Sequence, residues 1–88
     1  MTTRKVTILN RAGIHARPAS LIVQTAQLFT SSIWLEKDNV KINAKSIMNI
    51  LTLGATYQTE MILSAEGPDE VKAVEELGKI FDDKFKEE

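Results

Sequence analysis

The apolar residues of this chain change their period along its length, and that change constrains the fold more than any other feature. Alternation of period two marks a half-buried strand, while i, i+3, i+4, i+7 spacing marks one face of a helix. Arg4 to Leu9 alternates, with Val6 and Ile8 on one side, and predicts a strand. Polar Asn10 to Gly13 reads as a loop. Pro18 to Phe29 carries Ala19, Ile22, Val23, Ala26 and Phe29 at helical spacing, which gives one buried face. Pro18 suits the first helical turn, where its missing N–H costs nothing. Ser32 to Glu36 alternates again, Lys37-Asp38-Asn39 forms a turn, and Val40 and Ile42 form a second arm. Ser46 stands where it can cap a short helix of Ile47 to Leu53, and Gly54 ends that helix. Thr59 to Ala65 predicts the last strand, with Met61, Leu63 and Ala65 facing inward. Gly67-Pro68-Asp69 opens a final helix striped by Val71, Val74, Leu77, Gly78, Phe81 and Phe85.

The order is β-α-β-β-α-β-α within 88 residues. It predicts a single domain, 1–88, of the α+β class. The expected architecture is an open-faced sandwich: a four-stranded antiparallel sheet with three helices on one face. Trp34 and Ile62 fall on the uncovered face and should be at least partly exposed. A domain this small buries only about 60–65% of its unfolded surface. Chemistry is therefore expected on the surface, with a partner protein supplying the missing walls.

Charge excludes some functions. Lys and Arg total 11, Asp and Glu 12, for a net charge of -1, whereas nonspecific nucleic-acid binding needs a basic excess. There are no cysteines, which removes disulfides, thiolate metal sites and cysteine nucleophiles. No apolar run approaches a membrane span, and no apolar segment follows the N-terminal Met1-Thr2-Thr3-Arg4-Lys5. These features lead to the expectation of a soluble, cytoplasmic protein without membrane insertion.

His15 is the only histidine. It lies in Gly13-Ile14-His15-Ala16-Arg17-Pro18, where a loop meets a helix. The first amides of a helix lack internal partners and, with the macrodipole, favour an anion. Pro18 stiffens the helix start but donates nothing, so the Ala16 and Arg17 amides are the nearest donors. The Arg17 guanidinium is planar and permanently charged, which suits phosphate oxygens. These positive surroundings disfavour a second charge on the ring, and a neutral imidazole is a nucleophile. A catalytic triad is poorly supported: no acidic residue is near in sequence, leaving only Asp38 or Asp69 to approach through the fold. One histidine without cysteine makes a metal site weaker still.

These residues resemble the HPr family of the bacterial phosphotransferase system. Gly13-Ile14-His15-Ala16-Arg17-Pro18-Ala19 fits the family's active-site segment. Lys45-Ser46-Ile47-Met48, followed by Leu53-Gly54, fits its second signature, and Ser64-Ala65-Glu66-Gly67 fits its last strand and helix. The resemblance covers essentially the whole chain. It implies a phosphocarrier rather than an enzyme acting on a small molecule by itself, and no cofactor. Enzyme I would phosphorylate His15, at Nδ1 in family members, with Arg17 stabilising the phosphoryl group. IIA domains of sugar transporters would then receive it. It further implies that Ser46 is modified by HPr kinase/phosphorylase in some bacteria, with transcription regulators as further partners. A monomer is expected.

A docking rim follows from the same residues. A short helix cannot bury all its apolar side chains, so Ile47, Met48 and Leu51 are expected outside, while Ile50 and Leu53 are core. Ser20, Leu21 and Gln24 should join the rim, with Arg17 and Lys45 as basic contacts. Gln24, Gln27 and Asn49 stand where certain relatives carry Lys, and Asn49 and Gln58 also replace common glycines. The alternative is an HPr-like protein that regulates carbon or nitrogen control through contacts. Some such paralogues lose the histidine, which this chain keeps. An RNA-binding sheet would need stacked aromatics, and Trp34 is the only aromatic residue in a strand.

Overall fold

A computed structural model describes residues 1–86; positions 87 and 88 of the single-domain span lie outside the described residues. The elements are β1 (Thr2–Thr7), α1 (Ala16–Ala26), β2 (Ser32–Lys37), β3 (Val40–Asn43), α2 (Ile47–Thr52), β4 (Glu60–Glu66) and α3 (Glu70–Asp82). A short 3-10 turn, Lys84–Lys86, follows. The strands form one sheet in the order β1-β4-β2-β3. Every neighbouring pair is antiparallel. The predicted open-faced sandwich is therefore the fold.

Alternation decides what each strand buries. Val6, Ile33, Leu35, Met61, Leu63 and Ala65 point inward and meet Ile22, Ala26, Leu77 and Phe81 from the helices. Each large apolar side chain so enclosed contributes about 1.5–3 kcal/mol. On the open face, Ile62 stays 38% exposed and Trp34 is half-buried, as expected. The Lys41 ammonium lies 4.6 Å from the Trp34 ring centroid, a cation–π contact across two strands. The β2–β3 hairpin turns on two residues, Asp38 and Asn39, with φ of 52° and 68°. Asp and Asn tolerate this left-handed backbone well, and Lys37 belongs to the strand rather than the turn.

Several expectations are corrected by packing. The first helix runs Ala16–Ala26, starting two residues before the predicted Pro18 and ending three before Phe29. Pro18 occupies its third position, where an N–H would have no helical partner in any case. Beyond Ala26 the chain tightens into i→i+3 bonds, Leu28 N to Thr25 O and Phe29 N to Ala26 O. Val71 is 65% exposed, not part of the buried stripe. It lies on the flank of α3, and Ala73 on the opposite flank closes against the sheet. Phe85 is buried as expected, but α3 has already ended at Asp82. A turn with positive φ, and not continued helix, swings Phe85 back onto Phe81.

Candidate functional site

The site is built where the β1–α1 loop meets the loop after α2. Ile8 leaves β1 bonded on both sides, its N–H to Thr59 O at 2.9 Å and its carbonyl to Gln58 N at 2.7 Å. The Asn10 side chain is fully buried and donates from Nδ2 to Gly13 O at 2.8 Å. The Gly13 amide returns a bond to Asn10 O at 3.1 Å. Gly13 has φ +73°, and a Cβ there would sit 2.9 Å from Ala55 O. Only glycine accepts both conditions. The next amide, Ile14 N, donates to that same Ala55 O at 3.0 Å. The residue before His15 is thus pinned to a neighbouring loop.

His15 is the N-cap of α1, in extended backbone with φ -125° and ψ -166°. Its carbonyl accepts the first helical bond, from Ala19 N at 3.0 Å. Its ring is exposed and does not cap the helix. Because Pro18 has no N–H, Ala16 and Arg17 hold the first-turn amides that lack a helical acceptor. No acidic residue occupies that turn. Arg17 is exposed beside it. The arrangement is an imidazole, a helix N-terminus and a guanidinium on one accessible edge, which suits a tetrahedral anion.

The second part of the site is α2, which packs against α1. Ser46 is its N-cap, and Ser46 Oγ accepts from Asn49 N at 3.3 Å. Ile50 and Leu53 are buried, while Ile47, Met48 and Leu51 are 39%, 72% and 37% exposed. The expected division between core and rim is thus the one found. On α1, Gln24 is exposed, while Ser20 and Leu21 are half-buried, and Leu21 also packs against the core. Lys45 is half-buried, and its ammonium donates to Phe29 O at 2.8 Å. Lys37 reaches the C-cap carbonyl of α2, Leu53 O, at 2.9 Å. The Lys37 bond closes a helix end, while Lys45 ties down the connection after α1.

Neither acid considered as an orienter of His15 fills that role. Asp38 sits at the tip of the β2–β3 turn. Asp69 is committed elsewhere: it accepts from the amides of Thr30 and Ser31, each at 3.0 Å, and from Ser31 Oγ. These bonds, led by the Ser31 hydroxyl, lower its pKa from 3.8 to about 2. Among the described residues there is no cluster of three or more His, Cys, Asp or Glu able to hold a metal, and no helix is long and apolar enough to cross a membrane. Sequence reasoning missed Asn10 and Ala55. Asn10 read as an ordinary loop residue, and Ala55 carries no signal at all, since its role lies in a backbone carbonyl.

An open-faced α+β sandwich with an exposed histidine at the N-cap position of its first helix defines a class of surface phosphoryl acceptors. A family model described as "PTS HPr component phosphorylation site" matches residues 2–83. The phosphocarrier protein HPr of Treponema pallidum is 49% identical over 88 residues, covering all of both chains. The HPr-like protein Crh of Bacillus subtilis is 48% identical over 77 residues, covering 88% of this chain and 91% of that one. A crystal structure of HPr from Thermoanaerobacter tengcongensis superposes with a TM-score of 0.96 at 51% identity, covering 100% and 99% of the two chains. The chain belongs to the HPr family of phosphocarriers of the phosphotransferase system.

Proposed function

We propose that this protein carries a phosphoryl group on His15, taking it from enzyme I and giving it to IIA domains of sugar transporters in the cytoplasm. The observation that carries the reading is the exposed imidazole at the N-cap of α1, in a first turn without acids. A ring nitrogen lone pair forms the P–N bond as the donor's own bond to phosphorus breaks. The Arg17 guanidinium and the Ala16 and Arg17 amides take up charge on the phosphoryl oxygens. Pro18 keeps that turn rigid. In the second transfer the acceptor attacks phosphorus, the P–N bond breaks, and its electron pair returns to the ring. Positioning and electrostatics between two docked proteins supply the catalysis. Ser20, Leu21, Gln24, Ile47, Met48 and Leu51 form the docking rim. Lys45 contributes its charge from a tethered position. The test is incubation with enzyme I and labelled phosphoenolpyruvate. Acid-labile, base-stable label is expected on the wild type and not on His15→Ala; equal labelling of both would refute the assignment.

Ser46 is proposed as a regulatory site. Its hydroxyl stands at the N-terminus of α2, where a phosphate dianion is electrostatically welcome, yet it borders the apolar rim. A phosphate there would repel acidic partners while leaving the helix intact. HPr kinase/phosphorylase with ATP should add one phosphate to this residue by mass spectrometry, and an unmodified Ser46 would remove the proposal. A mainly regulatory role is the second reading, favoured by the likeness to Crh. Retention of His15 places the carrier role first.

A further inference from the structure

We propose that Lys86, presented by the left-handed C-terminal turn, is a specificity contact that draws an acidic protein partner onto the groove beside Arg17. The proposal deepens the docking surface above and rests on the carrier reading. Lys84, Phe85 and Lys86 have φ of 55°, 54° and 60°. Side-chain-bearing residues disfavour this region, and three in succession require an anchor. The anchor is Phe85, which is 5% exposed and meets Phe81 edge-on with ring centroids 5.0 Å apart. The Lys86 amide closes the turn on Asp83 O at 2.9 Å. Burial of the ring therefore fixes where its exposed neighbour Lys86 emerges.

That place is informative. An open groove runs between Ala16, Arg17, Ser20, Leu21 and Gln24 of α1 and the residues Phe85 and Lys86. Among the described residues its charged lining is Arg17 and Lys86, both cationic, with no carboxylate. The floor contributed by Leu21 and Phe85 is apolar. On its other side Lys86 borders a second groove that contains Glu76, Lys79 and Asp83. The residue thus divides a flank of mixed charge from one whose described charges are all basic. An acidic surface is received on the basic side, next to the proposed phosphoryl acceptor, and gains nothing on the other.

The test measures the affinity of the full unphosphorylated chain for enzyme I by titration calorimetry at low and moderate salt. Lys86→Gln should raise Kd about threefold and Lys86→Glu about tenfold, with a weaker salt dependence. Lys72→Glu makes the same charge change on exposed α3 and should leave Kd within about twofold. Circular dichroism melts should be unchanged, because Lys86 lies at the surface. A Lys86→Glu protein that binds as wild type, or a Lys72→Glu protein equally weakened, would overturn the proposal. So would a wild type that does not bind. Transfer of label is scored separately: binding sensitive to Lys86 without labelling of His15 would sink the carrier reading and leave the contact standing.

Discussion

Gly13 and Gln58 share nearly the same positive φ, +73° and +70°, with opposite side-chain requirements. At Gly13 a Cβ would press on the Ala55 carbonyl, and the left-handed backbone adds its own penalty. Gly13→Ala should cost about 2 kcal/mol in urea denaturation. It should also slow phosphoryl acceptance, because His15 lies two residues away on the same pinned loop. Gln58 already bears the left-handed penalty. Gln58→Gly should raise stability by about 0.5–1 kcal/mol, since relief of the Cβ strain outweighs glycine's extra entropy in the unfolded chain. A loss of stability would show that the Gln58 side chain makes a compensating contact. The sequence pointed to both positions, one as a glycine beside the histidine and one as a residue replacing a common glycine. It did not reveal Ala55, against whose carbonyl the first is fitted.

Helix α2 shows how a weak element is held in place. Six residues are too few to be stable as an isolated helix. Burial of Ile50 and Leu53, the Ser46 cap, and the Lys37 bond to Leu53 O hold it instead. The cap bond is long at 3.3 Å, so Ser46→Ala should cost only about 0.5 kcal/mol. Met48 is 72% exposed and anchors nothing in the core. Met48→Asp should therefore change unfolding free energy by less than about 0.5 kcal/mol. Its affinity for enzyme I should nevertheless fall, by about tenfold, as a desolvated contact becomes an unpaired charge. Normal phosphate acceptance by this variant would remove Met48 from the rim. The length and cap of this helix were readable locally. The lysine that closes it was not, because Lys37 lies far along the chain from the carbonyl it reaches.

At the scale of the molecule, Asp69 ties the α3 entry to the segment between α1 and β2. Its folded pKa of about 2 lies below the ordinary 3.8. The unfolded state therefore binds the proton more readily. The contribution is fully present above about pH 4 and is lost as pH falls toward 2. Wild type should be more stable than Asp69→Asn at neutral pH, with melting temperatures converging between pH 4 and 2. Parallel curves through that window would show that the carboxylate is not the group responsible. Glu70 shifts in the same direction, chiefly through the Thr2 hydroxyl that donates to it at 2.6 Å. Two adjacent carboxylates thus fasten the last helix to β1 and to the α1–β2 connection.

Local order alone determined the succession of strands and helices, the inward sets of β1, β2 and β4, and the placement of His15 and Arg17 at a helix start. Those features depend on neighbours a few residues away, and side-chain periodicity records them directly. Tertiary packing decided the rest. It left Val71 in solvent and turned Phe85 back against Phe81 after the helix had ended. It bent Asp69 away from its own helix toward Ser31, and set Asn10 and the Ala55 carbonyl around the histidine loop. Each of these rests on a contact between distant segments, whose free energy exists only once the sheet has brought them together.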